Sequence, residues 1–102
     1  MKYQLVIQFP EAMFGYLDWI IEMEDRLEDN LLNAELDGHD IGSGEVNIFI
    51  HTNHPQQTFE LVKNILQREE DVLENAKIAY RELCSEEYNC LWPEDLKAFE
   101  VT

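Results

Sequence analysis

Between Tyr3 and Leu32 the spacing of apolar side chains changes from two to about 3.6 residues, and this change constrains the fold more than any composition figure. Tyr3, Leu5, Ile7 and Phe9 alternate with Gln4, Val6 and Gln8, which is the pattern of a strand with one buried face. Pro10 closes that run. From Glu11 to about Leu32 the pattern is helical: Met13, Phe14, Leu17, Ile20, Ile21, Met23, Leu27 and Leu31 gather on one side. Asp18, Glu22, Asp25, Arg26 and Asp29 lie opposite or at its border, and Glu24 projects onto the middle of the apolar face.

The same reading continues along the chain. Glu35 to Ile41 is a weak strand candidate interrupted by glycine, and Val46 to Thr52 is a stronger one. Gly42-Ser43-Gly44 between them is hairpin chemistry, because glycine takes positive φ without steric cost. Pro55 fits the first turn of a second helix, capped by Asn53 or His54, whose inward stripe is Phe59, Leu61, Val62, Ile65 and Leu66. Glu69, Glu70 and Asp71 close that helix poorly, since negative charge is unfavourable at a helix C-terminus. Ala76 to Leu83 reads as a last strand.

Strand, helix, strand, strand, helix, strand is the βαββαβ order of an α+β, ferredoxin-like sandwich: an antiparallel sheet with two helices on one face. Right-handed crossovers place the first and third strands side by side in its centre. The 102 residues suit a single domain, with residues 1–87 as the core and 88–102 as a C-terminal extension. Its YNCLWP and AFEV segments are too apolar for a loose end, so the extension is expected to fold back as an extra strand or as cover on the sheet.

Charge sets the partner class. With 22 acidic and seven basic side chains the formal net charge is −15, which repels phosphate backbones and anionic lipid and attracts a basic protein. Nucleic-acid and membrane roles are therefore not expected. The N-terminus lacks a signal-peptide pattern, no apolar run is long enough to span a bilayer, and Cys84 and Cys90 read as free thiols, so a cytoplasmic location is expected.

Candidate chemistry centres on ELDGHDIGSGEVNIFI, Glu35 to Ile50. Gly42 and Gly44 precede a strand, not a helix, and no G-x-x-x-x-G-K-[ST] occurs, so a phosphate-binding loop is not supported. Asp37, His39, Asp40 and Glu45 cluster, with His51 and His54 beyond, but without a diagnostic ligand spacing; a solvated acidic turn is the plainer reading, and neither a metal nor a cofactor is implied. Neither cysteine has a local histidine motif, and Ser43 lacks the G-x-S-x-G elbow. Glu24 is the sharper signal, because a carboxylate on an apolar face must be paired, hydrogen-bonded or protonated; His39, His51 and Arg81 are its candidate partners. The second sheet face collects Gln4, Val6, Gln8, Asn47, Phe49, His51, Lys77 and Arg81, a ligand surface or an ordinary solvated face.

The segments Asp37-Gly38-His39-Asp40, Gly42-Ser43-Gly44-Glu45, Asn47-Ile48-Phe49-Ile50, Tyr80-Arg81-Glu82 and Leu91-Trp92-Pro93 resemble a largely uncharacterised family of small bacterial proteins of about this length. Some of its members are labelled ABC transporter ATPases, a label this sequence does not support, since it has no Walker A lysine loop. The resemblance implies a compact cytosolic bacterial domain and supplies no active site.

Three functional readings follow. The first is a non-catalytic domain binding a basic protein through Asp18, Glu22, Asp25 and Asp29, with Trp19 at the edge as an aromatic anchor. A bacterial immunity protein that neutralises a cationic toxin is its most concrete form, an analogy from charge and size. The second is a small-molecule-binding or enzymatic domain built on Glu24, the Asp37–Asp40 turn, Glu45, Asn47, His51, Arg81 and the open sheet face. The third is a homodimer with Phe49 in the seam.

Overall fold

The structure is a computed structural model that describes residues 1–101. It is a mixed α+β domain built on one antiparallel sheet. β1 (Tyr3–Pro10) leads into a one-turn helix α1 (Glu11–Phe14) and then α2 (Leu17–Asn30). β2 (Ala34–Gly42) and β3 (Glu45–Thr52) form a hairpin, and α3 (Pro55–Leu66) follows. A 3-10 turn at Leu73–Asn75 precedes β4 (Lys77–Glu82), and β5 (Asn89–Trp92) is the last strand. The sheet order is β2-β3-β1-β4-β5, so β1 and β3 pair in the interior and β2 and β5 are the edges. Among the described residues, five strands and three α-helices thus replace the expected four and two.

Register follows the alternation in β1. Leu5, Ile7 and Phe9 lie opposite Ile50, Ile48 and Val46, and this face packs under Ile20, Met23 and Leu27 of α2 and Phe59, Val62 and Ile65 of α3. Most of these side chains are fully buried, and removing apolar area from water on this scale is the main force holding the layers together. Val6, Gln8, Asn47 and Ala79 are also buried, although they point to the reverse face. The C-terminal extension accounts for this: after β5, Ala98, Phe99 and Glu100 run beside Gln8, Glu45 and Lys77, and Gln8 Nε2 donates to both the Glu100 carbonyl and Asn47 Oδ1, each at 3.0 Å. The extension therefore serves as both an extra strand and cover.

Three expectations need correction. The helix expected from Glu11 to Leu32 is broken at Gly15-Tyr16. Gly15 donates its N–H to the Glu11 carbonyl, and a Cβ at Gly15 would lie 2.5 Å from that oxygen, so the joint admits only glycine without a shift. The break turns Met13 outward. Leu17 and Ile21, assigned to the inward stripe, are exposed as well, because the buried line of α2 is centred on Ile20, Met23 and Leu27. Finally, neither Asn53 nor His54 caps α3 with its side chain; His54 is the N-cap residue but makes no such bond. Thr52 Oγ1 instead accepts the His54 N–H and bonds the buried Thr58 hydroxyl at 2.7 Å.

Candidate functional site

The acidic stripe of α2 lies where the helical period puts it. Asp18, Asp25 and Asp29 are exposed at spacings of seven and four residues, facing away from the core. Glu22 shares the stripe but is engaged: Arg26 Nη2 donates to Glu22 Oε1 at 2.8 Å, while its Nη1 reaches Glu69 Oε2 at 2.9 Å. Glu69 first, then Glu22, hold the Arg26 guanidinium above its usual range. Trp19 does not stand free at the stripe's edge. Its ring packs edge-on to Phe9 at 5.2 Å and against Phe14 at 4.7 Å, and its indole N–H donates to Glu69 Oε1. Its contacts tie α2 to the core and to the segment after α3.

Glu24 lies at the border of the apolar face, not in its middle, with 12% of its side chain exposed. It meets His39, one of its three expected partners: Nδ1 and Oε1 are 2.9 Å apart. His39 is opposite Ile48 and so points to the helix side of the sheet. His51 is opposite Gln4 and Glu35 and points to the reverse side, with Nε2 3.3 Å from Asp37 Oδ2. The two histidine–carboxylate pairs therefore lie on opposite faces of the β2-β3 hairpin and share no cavity. Asp37 sits at a bulge between Leu36 and Gly38, where Gly38 adopts φ +102°, a conformation that L side chains rarely take. Asp40 is exposed opposite the buried Asn47, and Glu45 is half-buried beside Pro10.

The expected reverse-face residues do share rows. Gln4 lies between His51 and Arg81, Val6 between Phe49 and Ala79, and Gln8 between Asn47 and Lys77. Arg81 is committed to structure: Nε donates to Gln4 Oε1, and Nη1 to the carbonyls of Glu82, Leu83 and Ser85. It lines an open cleft of about 620 Å³ with Cys84, Tyr88 and Phe99, the last two rings being 5.0 Å apart. Among the described residues no group of three or more His, Cys, Asp or Glu is placed to hold a metal ion, and no helix is long and apolar enough to cross a membrane.

Two features escaped the sequence reading. Leu17 and Ile21 on α2 and Ile41 on β2 are exposed apolar side chains, and β2 is an edge strand nine residues long. The only early signal was Gly15, which allows the chain to turn before α2. Comparison with known protein families, with curated proteins and with solved structures gave no match.

Proposed function

We propose that this chain is a non-catalytic, cytoplasmic binding domain for a basic protein, with Asp18, Asp25 and Asp29 of α2 at the contact. One observation carries the reading: the negative charge is largely left unneutralised. Among the described residues Arg26 is the only Lys or Arg in an ion pair with a carboxylate, while the chain carries 22 acidic side chains. Carboxylates kept in solvent without cationic neighbours retain a long-range field that speeds encounter with an oppositely charged surface. Glu24–His39 and Asp37–His51 lie on opposite faces of the hairpin and so do not form one composite acid–base site. Neutralisation of a cationic toxin is the most concrete form of this function. The strand order supports assigning the first four strands and the two longer helices to a ferredoxin-like core, with β5 and the tail appended.

The test is kinetic. The product of the neighbouring gene, if cationic, is purified and its association rate with this chain is measured across salt. The rate should fall steeply as ionic strength rises, and replacing Asp18, Asp25 and Asp29 by Asn should slow association with little effect on folding. A rate indifferent to salt and to those three substitutions rules out the mechanism.

A further inference from the structure

We infer that the β2 edge accepts an extended segment of the basic partner as an added strand, in which apolar and basic side chains alternate. The inference rests on the basic-partner reading above and specifies how that partner is held.

β2 ends the sheet, and none of the described residues pairs with its outer side, so its outward N–H and C=O groups lie open along the strand. Past the bulge, Gly38 to Gly42 pairs in continuous register with β3, a stretch of roughly 17 Å at strand rise. The two sides of this stretch differ in chemistry. On the helix side Ile41 follows His39, and α2 runs antiparallel to β2: Glu28 and Leu31 sit beside Ala34 and Leu36, and Glu24 meets His39. Continuing toward the start of α2 brings Ile21 and then Leu17 along the Ile41 end. These side chains are 39% exposed at Ile41, 45% at Ile21 and 56% at Leu17, and the helical period from Glu24 puts the two on α2 on the side of the helix that meets β2, which makes an apolar shelf there. On the reverse side the same stretch carries Asp40, with Asp37 at the bulge, both exposed.

Side chains of an added strand alternate between these two sides. Those on the helix side meet the shelf and favour apolar residues; those on the reverse side meet carboxylates and favour Lys or Arg. A second copy of this chain is the wrong occupant. Pairing β2 with itself would bring two sets of these aspartates together, on chains that each carry a charge of −15.

The probe is a short peptide of alternating Lys and Val added to the isotope-labelled chain. Backbone NOEs between the peptide and residues 38–42 are expected, and Pro in place of one central Val should weaken binding roughly tenfold by removing a ladder donor. Ile21→Lys should weaken it to a similar degree, with circular dichroism confirming the fold. Equal affinity for the Pro peptide, NOEs confined to other surfaces, or no binding overturns the inference. So do NOEs between copies across β2 in the unliganded chain. If a cationic protein associates with steep salt dependence while the β2 resonances stay in place, this inference fails and the basic-partner reading stands. If no cationic protein or peptide binds, both fail.

Discussion

The two edges of the sheet are built in opposite ways. β5 is four residues long, and Trp92 anchors it by donating its indole N–H to the Leu73 carbonyl at 3.0 Å, with Lys63 5.3 Å from the ring centroid. The chain then turns back over the reverse face and is fastened at Gln8. β2 is nine residues long and has no such strap; its supports are β3, α2 and the two histidine–carboxylate pairs. The C-terminal extension thus makes one edge short and strapped to the body of the domain, while the long β2 edge carries acidic side chains along its outer side. Like charge guards an edge against self-association but not against a cationic strand.

The largest effect should come from the strapped β5 edge. Trp92→Ala removes a half-buried ring and its hydrogen bond, and should cost about 3 kcal/mol in denaturant unfolding. A loss below that of any β2 substitution would break the contrast. Next, Gln8→Leu leaves the buried Asn47 amide without its donor and releases the tail, for a loss of about 2 kcal/mol. If proteolysis of the tail is no faster in that variant, the strap is misassigned. Glu24→Gln keeps a hydrogen-bonding group opposite His39 but removes the charge, so it should cost about 1 kcal/mol or less and leave β5 unaffected. Smallest of all, Asp18→Asn, Asp25→Asn and Asp29→Asn together should shift stability by no more than about 0.5 kcal/mol, since among the described residues these carboxylates have no cationic partner to lose.

Much of this architecture was legible because period and register are local. The alternation of β1 and β3 and the stripe of α3 come within a residue or two of the observed elements. Gly42-Ser43-Gly44 was readable as a turn for the same reason, and Ser43 and Gly44 do adopt positive φ. What failed was continuity. Met13, Leu17 and Ile21 continue the apolar spacing of a single helix, yet the break at Gly15 turns Met13 outward, and a buried line centred on Ile20, Met23 and Leu27 leaves Leu17 and Ile21 exposed. Spacing identifies which residues share a face, not whether a neighbouring element covers it. Trp19 misled in the opposite sense: its place at the stripe's border hid the packing with Phe9 and Phe14. Glu24 was conspicuous because it violated the pattern, but only tertiary contact selected His39 over His51 and Arg81.

The most direct test of this difference between the edges is backbone hydrogen exchange with and without a saturating cationic partner. The account predicts slowed exchange in β2 from Gly38 to Gly42 and over the acidic side of α2, with β5 unchanged. Protection confined to β5 and the tail, with β2 exchanging as in the free chain, would contradict it.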